Sequence, residues 1–278
     1  MLIEDFEDYY KEFANYTGKK LGMDYPELCF IDTEWWNAYP IQDFDYQFNS
    51  WGFRGPEYTQ YIGKPVNICL GDSALLNIGG PIEHSWPSLL AQYFDIPTLN
   101  FGILGAGNDA IKIIYDRACE IFDVQNTFVM YSYMHRRLDK NKIFTQDYFE
   151  FESNIQYFKE NMIKNVIYTF IQPWCWSKEE LDYLQNKHKN NLYNLLDSKS
   201  LSYTQLSEKM YNVYKGDQWV SYDEFTKGIT NKAMQNDEIF ISKIKEHFAH
   251  ANRDGFHFNK IANQIVADFL RNQYNGNL

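Results

Sequence analysis

From residue 66 onward the chain alternates short apolar runs with helix-patterned stretches, and this alternation restricts the fold more than any other feature. The runs are 66–70, 98–101, 127–133 and 166–171. Taken together the runs are mostly apolar, without the sustained polar alternation of half-exposed strands. Each therefore reads as a strand covered on both faces, the habit of parallel sheets flanked by helices. Between them, 86–93, 109–122 and 148–163 read as helices. Ile111, Ile114, Tyr115 and Ala118 recur at the three- and four-residue spacing that lines one helix face. Asn259 is placed to cap a last helix whose Ile261, Ile265, Val266 and Phe269 would face the sheet. Strands and helices in this order predict an α/β fold with a central parallel sheet. Ligands of such sheets bind beyond the carboxyl ends of the strands, so the residues after each run are the first candidates for a site.

Two stretches stand apart from that pattern. Residues 1–64 are aromatic-rich and weakly periodic, and read as a cap segment packed on the edge of the core. Residues 65–278 then form the main domain, with a polar, helical insertion at about 177–246 that is either a lid over the site or a surface decoration. With 45% hydrophobic and 18% aromatic residues, 278 residues can bury a sizeable core. The net charge of −11 argues against a nucleic-acid partner and against adsorption to an anionic membrane, since both need clustered Lys and Arg. The abundance of Tyr and Phe fits a sugar-binding surface, but a compositional bias of the source genome explains it more simply.

No apolar stretch is long enough to span a bilayer, and residues 1–20 carry acidic side chains rather than a signal sequence. Cys29, Cys69, Cys119 and Cys175 match no zinc or redox spacing. A cytoplasmic protein without a cofactor is the expectation, with Cys69 an ordinary packed thiol inside its strand.

The chemistry-bearing residues lie at the two ends of the domain. Ser73 stands in Gly71-Asp72-Ser73, directly behind the run ending at Leu70. Asp254 and His257 stand three residues apart in Asp254-Gly255-Phe256-His257. A serine leaving a buried strand, with an Asp-x-x-His turn ahead of a final helix, supplies a nucleophile, a general base and a carboxylate to orient the base. A competing reading takes His247, His250, Asp254 and His257 as a zinc-binding cluster, but it leaves the strand-borne serine unexplained.

These blocks resemble the SGNH/GDSL hydrolase superfamily, which cleaves or transfers acyl esters. The resemblance covers 49–274, with 177–246 only loosely accommodated. It implies a flavodoxin-like three-layer sandwich around the parallel sheet. The family's first block is similar to Gly71-Asp72-Ser73, Ile78-Gly79 and Trp86-Pro87-Ser88-Leu89-Leu90. Where members often carry glycine four residues after the serine, this chain has Asn77, which tolerates a left-handed turn better than most residues. The lead-in Asn49-Ser50-Trp51-Gly52-Phe53-Arg54-Gly55 also resembles the family's, and reads as packing.

The second block resembles Asn100-Phe101-Gly102-Ile103-Leu104-Gly105, and by similarity the amides of Ser73 and Gly105 form an oxyanion hole, with glycine letting its N–H approach substrate. The third block departs from the pattern. The family's Gly-x-Asn-Asp is replaced by Met134-His135-Arg136-Arg137, where His135 falls at the asparagine's place and has an N–H to donate. Gly107-Asn108-Asp109 resembles the missing motif but follows the second strand, where Asn108 either leans into the site or serves the helix start.

The resemblance therefore implies a serine esterase acting through Ser73, His257 and Asp254, with Ser73, Gly105 and His135 at the oxyanion. Its substrate would be a small-molecule or carbohydrate ester, such as an acetyl group on a sugar. An O-acyltransferase with the same triad, or a non-catalytic module on the same fold, are the alternatives.

Overall fold

A computed structural model of the chain describes residues 12–19, 21, 44–132 and 257–275, together with the backbone of 166–170. Two short strands, β1 (Thr17–Gly18) and β2 (Tyr46–Gln47), pair antiparallel. There follow β3 (Pro65–Gly71), α1 (Ser73–Leu76), α2 (Trp86–Ala91), β4 (Thr98–Gly102), α3 (Asn108–Ile121), β5 (Asp123–Tyr131), β6 (Val166–Phe170) and α4 (Lys260–Tyr274). Strands β3 to β6 form a four-stranded parallel sheet in the order β4-β3-β5-β6. The molecule is therefore of mixed α/β type, as the alternating runs predict. β3 lies between β4 and β5, so the chain leaves it first to one side and later crosses to the other. Its carboxyl end is the kind of switch point where open sheets leave a crevice.

The register shows that apolar groups cover both faces of the sheet. Cys69 lies beside Phe128, and Leu70 beside Phe101. Successive residues of a strand point to opposite faces, so Phe128 and Phe101 do too. Phe128 meets Phe94 and Tyr274 of α4, with ring centroids 5.5 and 6.5 Å away. On the other face Phe101 meets Phe53, Tyr58 and Phe122, the last of these closing α3. Cys69 is fully buried, and burial pushes its thiol well above the usual range, as expected of a packing residue.

Several element limits differ from the sequence expectation for identifiable reasons. β5 begins at Asp123, four residues ahead of its apolar run. That extension is polar because Asn126 is spent on a hydrogen bond to Asn67 of β3 rather than on apolar packing (Nδ2 to Oδ1, 2.8 Å). α2 ends at Ala91, short of residue 93. α4 is capped by Asn259, whose Oδ1 accepts from the amides of Ile261 and Ala262, as its position predicts.

The buried stripe of α4 nevertheless runs through Ala262, Asn263, Val266, Ala267, Phe269 and Leu270, and Ile261 is 45% exposed rather than facing the sheet. Ile261 sits about 100° around the helix from Ala262, just off the stripe. The expected helix at 148–163 and the insertion at about 177–246 lie outside the described residues.

The described parts of the N-terminal segment pack in two places. Phe13, Leu21, Tyr46 and Phe48 form a small apolar cluster with Leu76 and Ile78, the residues that follow Ser73. Tyr58 reaches β4, where its hydroxyl accepts from the amide of Asn100 (3.0 Å) and donates to the carbonyl of the same residue (2.8 Å). That contact occupies backbone groups on an outer strand of the described sheet, which would otherwise invite pairing with another chain. No helix among the described residues is long and apolar enough to cross a membrane.

Candidate active site

Ser73 opens α1 two residues past the end of β3, with Asp72 between, and two glycines let that helix sit tightly on the strand ends. A Cβ on Gly71 would come within 2.4 Å of Leu75 Cδ1 and 3.0 Å of the Met130 carbonyl; one on Gly102 would lie 2.6 Å from Leu75 Cβ. At Gly102 the contact is with a Cβ, so a side chain there would push α1, and Ser73 with it, off the sheet. At Gly71 the Leu75 side chain would have to turn aside and the Met130 carbonyl give way slightly. Asp72 caps α1, its Oδ1 accepting from the amide of Ala74 at 3.0 Å. Asn77 closes the turn at φ 51°, the left-handed backbone expected of it.

The turn is braced from several directions. Asp72 is fully buried, and its Oδ2 accepts from the hydroxyl of Ser132, just beyond β5, at 2.7 Å. Ser132 is held in turn by Asn108, which accepts from its amide (2.9 Å) and donates to its carbonyl (3.0 Å). Asn108 begins α3 as a buried tether, so its amide serves the scaffold. Asn100 of β4 donates to the carbonyl of Leu75 at 2.8 Å. Arg54, also buried, donates to the carbonyls of Leu76, Asn77 and Gly80, while its guanidinium lies 4.4 Å from the ring centre of Tyr46.

These bonds occupy carbonyls at the C-terminal end of α1 and in the turn after it, where helix geometry supplies few donors. The lead-in around Asn49 thus has a definite task. Asn49 Oδ1 accepts from the amides of Trp51 and Phe53, and its Nδ2 donates to Pro56, folding the loop that delivers Arg54.

At the other end of the chain, His257 directly precedes Phe258 and the Asn259 cap of α4. Its Nε2 lies 2.9 Å from Ser73 Oγ, although the two residues are 184 positions apart. Ser73 is 6% exposed, and His257 is half-buried. The distance is within the hydrogen-bonding reach that a nucleophile and its general base require.

Gly105 takes a left-handed φ of +73°, and a Cβ on it would meet nothing within 4 Å among the described residues. The backbone angle alone favours glycine there, as expected of a strand-to-helix turn with positive φ. Asp254 and His135 lie outside the described residues, as do His247 and His250. Among the described residues no three His, Cys, Asp or Glu side chains gather as a metal site would need.

The structure thus brings together Ser73 and His257 out of the expected set. The braces Arg54, Asn100, Asn108, Ser132 and Asn263 went unnoticed as such in the sequence. Their one visible signal is polarity where burial is expected: Asn263 stands on the α4 stripe one turn before Val266 and Ala267. Comparison of the chain with protein-family models found no match, and comparison with curated proteins found none.

Proposed function

We propose that the protein is a serine ester hydrolase that removes small acyl groups from an alcohol, on an SGNH-type, flavodoxin-like fold. The observation that carries the reading is the 2.9 Å separation of Ser73 Oγ and His257 Nε2. Three others support it: the strand order β4-β3-β5-β6, which matches the order of flavodoxin-like sheets; the position of Ser73 at the switch point; and the open space around the Gly105 turn.

In the proposed reaction the imidazole carries its proton on Nδ1, where Asp254 would orient it, and Nε2 accepts from the serine hydroxyl. Ser73 Oγ attacks the ester carbonyl as Nε2 takes the hydroxyl proton. The carbonyl oxygen becomes an oxyanion facing the amides of Ser73 and Gly105. Donors fixed in place before reaction contribute about 3 kcal/mol each to such a transition state. Collapse of the tetrahedral adduct breaks the bond to the alcohol, which leaves with the proton from Nε2. Water, deprotonated by the same nitrogen, then attacks the acyl-serine and returns the enzyme to its starting state. A small acetyl-type ester, with a carbohydrate among its alcohols, is the substrate class that the resemblance suggests.

A fluorophosphonate probe tests the reading directly. Wild type is expected to take up one equivalent of probe, and Ser73→Ala none. An unreactive wild type, or a Ser73→Ala variant that labels as fast as wild type, overturns the esterase and favours a non-catalytic module. With an active wild type, release of free acid rather than a new ester, in the presence of sugar acceptors, separates hydrolysis from acyl transfer.

A further inference from the structure

We infer that Asn263, which belongs to no expected catalytic set, is a positioning residue that holds the His257 ring on the Ser73 hydroxyl. Its effect on rate rests on the esterase reading; its effect on geometry does not.

Asn263 is fully buried in the first turn of α4. Its Nδ2 donates to the carbonyl of Phe258 and to Oδ1 of Asn77, both at 2.9 Å, and its Oδ1 accepts from the amide of Trp86 at 3.1 Å. A primary amide has two N–H donors, so both are engaged. Phe258 is the residue after His257, Asn77 ends the turn that Ser73 begins, and Trp86 starts α2. One side chain therefore fastens the segment carrying the proposed base to the segment carrying the proposed nucleophile.

Neither an aspartate, with acceptors only, nor a leucine, with no polar atom, can make both donations. A misplacement of about 1 Å between reacting groups can cost about a hundredfold in rate, so a brace joining these two segments bears directly on turnover.

The test compares labelling and turnover in Asn263→Ala, Asn77→Gly and a control, Asn126→Ala. Asn77→Gly preserves the left-handed turn while deleting the acceptor. Asn126→Ala deletes a buried side-chain bond near the opposite ends of the strands. Asn263→Ala is expected to label and turn over about 10- to 100-fold more slowly, with the loss in kcat rather than KM. Asn77→Gly should slow in the same sense and add little in the Asn263→Ala background. Asn126→Ala should lose thermal stability yet react within about twofold of wild type.

Asn263→Ala reacting within twofold of wild type, or slowing no more than the control, overturns the inference. If Asn263→Ala does not fold, Asn77→Gly carries the same comparison. An unreactive wild type sinks the esterase reading alone, because the geometry is read separately from the Nε2 nitrogen resonance of His257. Ser73→Ala should move that resonance in wild type and leave it in place in an Asn263→Ala or Asn77→Gly background. An equal movement in every background overturns the inference whatever the activity.

Discussion

At the scale of single residues, Gly105 and Asn77 show how far a local pattern can be read. Both sit at positive φ, +73° and 51°, where an L-residue with a Cβ is strained. Because a Cβ on Gly105 has room, Gly105→Ala should cost only the backbone term, about 1 kcal/mol. A urea midpoint lowered at unchanged slope would measure it, and a much larger loss would mean that the turn is also held by contacts. Ser73, Gly105 and His257 were legible because each belongs to a short motif with a local conformational or chemical demand. Arg54, Asn108 and Asn263 were not, because each is defined by its partners: Arg54 bonds Leu76 across 22 positions and Asn263 bonds Asn77 across 186. Apart from the place of Asn263 on the apolar stripe of α4, nothing local distinguishes them from an ordinary surface arginine or a capping asparagine.

At the scale of elements, α1 is too short to stand on its own hydrogen bonds. It persists because Asp72 caps its start and Arg54 and Asn100 occupy carbonyls toward its end. Arg54→Lys keeps the charge but replaces a planar fork with a single ammonium, which cannot serve three carbonyls in the same geometry. We expect a loss of about 2 kcal/mol, since at least one buried acceptor is left without its donor. Thermal unfolding reads the stability, and a matching fall in Ser73 labelling reads the displacement of α1. Stability unchanged in Arg54→Lys would remove the brace from the account. The core strands β3 to β6 and the helices α2, α3 and α4 followed from periodicity, whereas β1, β2 and α1 did not. Limits such as the start of β5 depended on cross-strand partners like Asn67 and Asn126. Likewise the exposure of Ile261 reflects the angle at which α4 lies on its neighbours, which apolar spacing alone did not separate from the buried stripe.

At the scale of the whole molecule, segments far apart in sequence converge on the turn after Ser73. Phe13 and Phe48 reach it from one side, Arg54 from the lead-in loop, and Asn263 from the last helix. The pH dependence of folding should register the same neighbourhood through His84, between that turn and α2. Burial, aided by the nearby Lys260 charge and opposed by Glu83, holds its imidazole below the ordinary histidine value. The unfolded chain then takes up the proton at higher pH than the folded one. Stability is retained above the ordinary histidine value and is lost as pH falls through it toward the folded value. His84→Asn removes that proton, so its melting temperature should fall less than that of wild type between about pH 7.5 and about pH 5.5. Parallel melting curves for the two proteins would show that His84 contributes nothing.

What the sequence by itself determined was the α/β class, the four strand runs, most of the helix faces, and the motifs carrying Ser73 and His257. Such features follow from periodicity and near-neighbour sterics, which act over a few residues. Only the tertiary structure decided that Ser73 and His257 meet at 2.9 Å, and that Asn108 is a tether. It alone identified which buried amides and which arginine hold the meeting place. Those outcomes depend on pairings between distant segments, and a hydrogen bond that closes a loop of well over a hundred residues leaves no periodicity in the chain.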